Sequence, residues 1–150
     1  METDKIIENL CVLNEHRAQI YRWGMTALAR CGEDQLQTVF KQYMEESSLF
    51  LAQLRAYSGS GLSSALNPEP KVVPIENLSR ITGPDAHSIF QHCRAIEQSA
   101  KRLYAEAIRQ VNERHASLAY LLRQQAEQQY MVYNHITTLY NCLLMHAQAG

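Results

Sequence analysis

The stretch IFQHCRAIEQSAKRLYAEAI, residues 89–108, decides the fold that this sequence predicts. Its apolar side chains recur every three or four residues, which is the spacing of one face of an α helix. That face comprises Ile89, Phe90, Cys93, Ala100, Tyr104, Ala107, Ile108 and, just beyond the stretch, Val111. Glu97 falls near the middle of the same face, where a buried carboxylate would need hydrogen-bonding partners.

Three further segments show the same helical spacing of apolar residues. The first runs from about Thr3 to Arg30, the second from Gln35 to about Tyr57, and the fourth from near Ala116 towards the C-terminus. The quoted stretch belongs to the third segment, from about Pro84 to Glu113. No segment shows the alternation typical of a β strand, so the sequence predicts an all-α protein.

The lengths of the connections predict how the helices are arranged. Short connections join the first helix to the second and the third to the fourth, which favours two antiparallel helical hairpins. The segment 58–83 between the hairpins is long enough to run the length of a bundle. Two hairpins joined by one long crossover make a ferritin-like four-helix bundle. We therefore expect residues 1–150 to form a single domain of this kind.

Composition and charge narrow the classes of partner and compartment. Lys and Arg total 14 against 15 for Asp and Glu, which gives no basic face for nucleic acid. No apolar run is long enough to span a membrane, and the N-terminus does not resemble a signal peptide. The cysteines are far apart in the sequence, which favours reduced thiols and a cytoplasmic protein. They are Cys11, Cys31, Cys93 and Cys142.

Polar residues on the apolar faces predict a polar layer across the middle of the bundle. All four helices contribute polar residues at a similar depth in the bundle. Tyr21 and Tyr104 fall near the same depth, so their phenol groups can supply hydrogen bonds to this layer. The predicted polar layer comprises Asn14, Ser47, Glu97, Gln125 and Gln128.

The polar layer lies where a ferritin-like bundle would hold a di-iron centre. Such a centre takes a Glu from each of two helices and Glu-x-x-His from each of the other two, because iron prefers several carboxylate oxygens. Here Glu97 is the one carboxylate predicted to point inward. Glu45, Glu46 and Glu127 are predicted to point away from the core, and none of them is followed by His three residues later. His135 falls near the edge of the core face and is the one candidate nitrogen ligand.

Four segments resemble a bacterial family of ferritin-like domains of unknown function that is distantly similar to rubrerythrins. The segments are KIIENLCVLNEHRAQIY (5–21), VFKQYMEESSLFLAQL (39–54), CRAIEQSAKRLYAEAI (93–108) and LLRQQAEQQYMVYNHITTL (121–139). The third is the most specific, with an acidic residue at Glu97 and Tyr-x-x-Ala at Tyr104 to Ala107. The resemblance implies a ferritin-like bundle, a bacterial source, and family-like core positions at Glu97, Asn14 and Gln125. It implies no activity, and the missing Glu-x-x-His motifs separate this chain from the iron-oxidising pattern.

The fourth helix carries a second stripe, displaced from its predicted core face. The stripe comprises Leu122, Ala126, Gln129, Tyr133, Tyr140 and Leu144, and its apolar members and tyrosines form the predicted contact face. A helix that is apolar on two faces usually buries both, so the stripe predicts a homodimer. The alternative is that the crossover segment covers the stripe.

The sequence thus favours a non-enzymatic protein that acts through interaction or assembly, with no catalytic residue and no cofactor assigned. One alternative is a metal-binding protein with a reduced or altered site around Glu97 and His135, holding iron or another transition metal. A carboxylate from the crossover, Glu69 or Glu76, would strengthen that alternative. Another alternative is a small-ligand pocket at the polar layer.

Overall fold

The described residues form four α helices and contain no strand. The computed structural model describes residues 2–30, 34–57, 86–111 and 115–149, with side chains at 3–29, 35–57, 87–111 and 115–142. The helices are α1 (Glu2–Arg30), α2 (Asp34–Tyr57), α3 (Ala86–Gln110) and α4 (Ala116–Ala149). The prediction of an all-α chain with four helices is confirmed for these residues.

The predicted ends of the helices agree with the observed ones except around α3. This helix ends at Gln110 rather than at Glu113, and Glu113 lies outside the described residues. The segment 58–83, which the sequence assigns to a crossover, also lies outside them, as do Glu69 and Glu76.

The helices pack as a bundle in which α1 contacts α2 and α3, and α4 contacts α3 and α2. Buried polar residues divide its apolar core into two clusters. The first cluster contains Ile6, Ile7, Leu10, Leu13, Leu54, Ala100, Tyr104, Ala107, Val111, Leu118, Ala119 and Leu122. The second contains Tyr21, Trp23, Ala27, Leu28, Phe40, Ile89, Phe90, Cys93, Val132, Ile136 and Tyr140. Each fully buried large aliphatic or aromatic side chain contributes about 1.5–3 kcal/mol by leaving water.

Gly24 permits a close approach between α1 and α2. A Cβ atom at this position would lie 2.5 Å from two ring carbons of Phe40 and 3.3 Å from Ile89. The missing side chain therefore makes room for an aromatic ring in the second cluster, since protein cores leave little empty space.

None of the described helices combines the length and the apolarity needed to cross a bilayer.

Candidate functional site

Three polar residues of α1 point together into the middle of the bundle. Asn14, Arg17 and Tyr21 share one face of the helix, because spacings of three and four residues return to the same side. All three are buried. Arg17 donates from Nη1 to Asn14 Oδ1 at 2.9 Å and from Nε to Glu97 Oε2 at 3.0 Å. Glu97 of α3 therefore supplies the countercharge for a fully buried guanidinium.

Both carboxylate oxygens of Glu97 accept hydrogen bonds from side chains. Oε2 accepts from Arg17 and from the hydroxyl of Tyr21. Oε1 accepts from Gln129 Nε2 at 3.0 Å, and the same nitrogen lies 2.9 Å from the Glu97 backbone oxygen. These donors on α1 and α4 offset the cost of burying the carboxylate.

A second branch of hydrogen bonds extends from α1 through α3 and α4 to α2. Asn14 Nδ2 donates to the hydroxyl oxygen of Tyr104 at 3.0 Å, and this hydroxyl donates to Gln125 Oε1 at 2.7 Å. Gln125 Nε2 in turn lies 3.2 Å from the backbone oxygen of Phe50 and 3.0 Å from Gln53 Oε1. Hydrogen bonds thus link side chains of all four helices at this level.

We call this set of side chains the buried network. Its members are Asn14, Arg17, Tyr21, Glu97, Tyr104, Gln125 and Gln129.

Burial and charge keep the donors of the buried network protonated. Burial raises the pKa of Tyr21 well above its ordinary value, and the Glu97 carboxylate raises it further. Burial also raises the pKa of Tyr104 to about 12. For Arg17, burial acts to lower the pKa, but Glu97 and Tyr21 outweigh it and the pKa is raised. All three groups therefore carry their protons at neutral pH.

The network has an edge between α2 and α4, where the groups are less buried. Glu46 Oε1 lies 3.8 Å from Arg17 Nη2, which is too long for a direct hydrogen bond, and its side chain is 26% exposed. Burial raises the pKa of Glu46, Arg17 lowers it and Glu97 raises it, with a net upward shift. At the same edge the Tyr43 hydroxyl forms a hydrogen bond with Nδ1 of the exposed His135.

The structure brings together three of the five residues of the predicted polar layer. Asn14 and Glu97 both bind Arg17, and Gln125 joins them through Tyr104. Ser47 is buried as well, but its hydroxyl donates to the backbone oxygen of Tyr43 at 2.9 Å, within its own helix. Ser47 therefore lies at the level of the network without bonding to it.

The placement of Gln128 in the polar layer is wrong. Gln128 is exposed, and the neighbouring Gln129 is the residue that binds Glu97. One residue along a helix turns the side chain by about 100°, so a small error in phase exchanges an inward position for an outward one. The core face of α4 passes through Leu122 and Gln129, whereas Leu121 is only half-buried.

The same error in phase affects the stripe predicted as a dimer face. Leu122 is fully buried in the first cluster, and Tyr140 belongs to the second. Ala126 and Tyr133 are half-buried, and the side chain of Leu144 lies outside the described residues. The stripe is therefore not an outer surface of α4, because Leu122 and Tyr140 are buried inside the bundle.

Two charged members of the site were missed from the sequence. Arg17 lies three residues after Asn14 and four before Tyr21, so helical spacing alone places it on the inward face. A basic residue is rarely buried, which is why this signal is easily passed over. Glu46 was expected to point away from the core, but it approaches Arg17 from α2.

The residues at this level do not fit an iron centre. The Glu97 carboxylate is surrounded by donors, and the guanidinium of Arg17 places a positive charge 3.0 Å from it, where a metal ion would be repelled. Ala100 stands three residues after Glu97, and Leu49 stands three residues after Glu46, where a Glu-x-x-His motif would have His. Among the described residues, no group of three or more His, Cys, Asp or Glu side chains could hold a metal ion.

Comparisons of the chain with protein-family models, with curated proteins and with solved structures find no match.

Proposed function

We propose that this chain is a ferritin-like four-helix bundle that acts through interaction or assembly, as a homodimer, without catalysing a reaction. The order of contacts between α1 and α2 supports the arrangement. Tyr21 packs edge-on against Phe40 at 5.4 Å between ring centroids, whereas Glu15 pairs with Arg55 at 2.6 Å. Tyr21, which comes later on α1, meets Phe40 early on α2, and Glu15, which comes earlier on α1, meets Arg55 late on α2. This opposite order is the pattern of an antiparallel hairpin.

Contacts between α3 and α4 follow the same opposite order. Glu97 binds Gln129, and Tyr104, further along α3, binds Gln125, which comes earlier on α4. This order supports a second antiparallel hairpin.

Contacts between α1 and α3 also run in opposite order, because Asn14 meets Tyr104 while Tyr21 meets Glu97. If α1 is antiparallel to both α2 and α3, then α2 and α3 run in the same direction. A connection between helices that run in the same direction must return along the bundle, and we assign that crossover to residues 58–83.

The observation that carries the non-enzymatic proposal is the ion pair between Arg17 and Glu97. The guanidinium of Arg17 occupies the middle of the bundle, and both oxygens of the Glu97 carboxylate are engaged by protein donors. Asn14 and Gln125 are likewise bonded to their neighbours. The polar interior therefore stabilises one arrangement of the helices, and the protein's function is exerted by its surface.

A cytoplasmic location and a bacterial source remain predictions from the sequence, and the cysteines bear on the first of them. The described cysteines Cys11, Cys93 and Cys142 are free thiols, and burial raises the pKa of Cys11 to about 11. A thiol with a raised pKa is a weak nucleophile, which agrees with a structural rather than a catalytic cysteine.

Two measurements on the full chain test the proposal. Protein purified without a metal-chelating tag is incubated with Fe²⁺, Mn²⁺ or Zn²⁺, desalted and analysed for metal; we expect no stoichiometric metal. Sedimentation at tens of micromolar should give a mass of twice 17.2 kDa. A monomer, or one metal ion per chain that Glu97→Gln removes, would overturn the proposal.

A further inference from the structure

The outer face of α4 carries a stripe of side chains that points away from the bundle. Tyr120, Arg123, Glu127, Tyr130 and Asn134 follow one another at spacings of three, four, three and four residues. At about 100° per residue these positions lie roughly opposite the buried core positions Gln125 and Val132. We call these five residues the outer α4 face. All five are exposed.

Large apolar groups lie open to solvent on and beside this face. Tyr120 is 64% exposed, Tyr130 is 42% exposed, and the adjacent Met131 is 69% exposed. Arg123, Glu127 and Tyr130 also line a shallow groove of about 480 Å³ together with Met131. Aromatic side chains and Arg are enriched at protein interfaces, so this is the composition of a contact surface rather than of a solvated face.

The charges of the face are complementary to a copy of itself. Arg123 and Glu127 lie at equal distances on either side of position 125, and so do Tyr120 and Tyr130. Neither Arg123 nor Glu127 makes an ion pair with another described residue. Suppose that two α4 helices pack antiparallel through their outer faces and cross at the level of residue 125. Arg123 of each copy then meets Glu127 of the other. Tyr120 of each copy then meets Tyr130 of the other.

We propose that the outer α4 face binds the same face of a second copy of this chain, with the two α4 helices antiparallel across a two-fold axis. Such a contact is isologous, so each favourable pair occurs twice. The proposal rests on the homodimer put forward above and names the surface that forms it.

Contacts within each copy hold the two tyrosines of the face in place. Lys101 of α3 lies over the ring of Tyr130, 5.3 Å from its centroid, and 5.0 Å from that of Tyr133. Earlier on α4, Gln124 Nε2 donates to the hydroxyl of Tyr120, one turn before it, at 2.9 Å. Side chains ordered before association lose less conformational entropy when they bind, which favours this face as a contact.

Charge reversal at two positions tests the proposal by sedimentation of the full chain. In Arg123→Glu, the introduced glutamate faces Glu127 of the second copy, twice per dimer. In Glu127→Arg, the introduced arginine faces Arg123 of the second copy. We expect each variant alone to raise the dimer dissociation constant on the order of 100-fold, because like charges in contact cost several kcal/mol. An equimolar mixture of the two variants should form heterodimers, since every reversed charge then meets its opposite.

The matched control uses Lys41 and Glu45, which have the same i, i+4 spacing on the exposed side of α2. Lys41→Glu and Glu45→Arg change the net charge equally and should leave the dimer intact. Circular dichroism checks that every variant keeps its helices.

The outcomes separate this surface from the proposed homodimer itself. A dimeric wild type whose two charge reversals remain dimers overturns the outer α4 face and leaves the homodimer standing. A monomeric wild type overturns both. Reversal variants that dissociate separately but do not associate when mixed overturn the antiparallel pairing.

Discussion

Two Arg–Glu pairs, each with its glutamate on α3, differ chiefly in their access to water. In the middle of the bundle, the side chains of Arg17 and Glu97 are both fully buried. Near the end of α3, the side chains of Arg109 and Glu106 are 74% and 48% exposed. The buried pair recruits further partners, since Tyr21 also donates to Glu97. In the exposed pair, Glu106 also accepts a hydrogen bond from Gln110 Nε2 at 2.8 Å, one turn further along α3.

The difference shows why one pair is part of a network and the other is not. A charge removed from water loses its hydration, so bonds to protein become favourable, and all side-chain donors and acceptors of this pair except Arg17 Nη2 make one. Water supplies those partners at the surface and also screens the attraction. A buried ion pair is therefore weak evidence for added stability, and what it shows here is which side chains of α1 and α3 meet.

The largest expected effect comes from removing the buried charge. Glu97→Gln keeps the shape of the side chain but removes the buried countercharge of Arg17, leaving the partly exposed Glu46 at 3.8 Å as the nearest carboxylate in the described residues. We expect the free energy of unfolding, measured with urea, to fall by about 3–5 kcal/mol. A loss of about 1 kcal/mol, the value for one ordinary hydrogen bond, would mean that the charge of Glu97 is not needed.

A smaller effect is expected at the edge of the network. Because the pKa of Glu46 is raised in the folded state, ionisation of Glu46 opposes folding at neutral pH. Glu46→Gln should therefore be more stable than the wild type at pH 7, by less than about 1 kcal/mol for this partly exposed group. The advantage of Glu46→Gln should disappear as the pH falls through the raised pKa of Glu46. It should be absent below pH 4.5, the ordinary pKa of a glutamate side chain, where Glu46 is protonated in both the folded and the unfolded state.

The control for this pH series is Glu45→Gln, at the exposed neighbouring position on α2. Urea unfolding of both variants between pH 4 and pH 7 compares them at each step. If Glu46→Gln were less stable than the wild type at pH 7, attraction to Arg17 would outweigh burial and the contrast between the middle and the edge would fail.

The smallest effect is expected at the exposed pair. A double-mutant cycle of Arg109→Ala and Glu106→Ala should give a coupling energy of about 0.3–0.5 kcal/mol, the range for exposed helical pairs. The coupling should shrink further in 1 M salt, where the Debye length is about 3 Å. A coupling above about 1 kcal/mol would show that exposure does not decide the strength of these pairs.

Much of the site follows from the sequence because helical periodicity converts residue spacing into direction. The inward positions of Asn14, Glu97 and Gln125 are consistent with the spacing of apolar residues around them. Periodicity does less well on α4, where apolar residues cover a broad arc and leave the centre of the core face undetermined. Because of that ambiguity, Gln128 was predicted to point inward, whereas Gln129 is the residue that does.

The sequence by itself determined four helices and their approximate ends. It also determined that polar residues near the middle of these helices point inward. Only the tertiary structure decided that Arg17 is the countercharge of Glu97 and that Glu46 approaches from α2. The physical reason is that local spacing sets the face on which a side chain lies. The axial offset and rotation between packed helices decide which side chains meet, and these depend on the fit of whole surfaces.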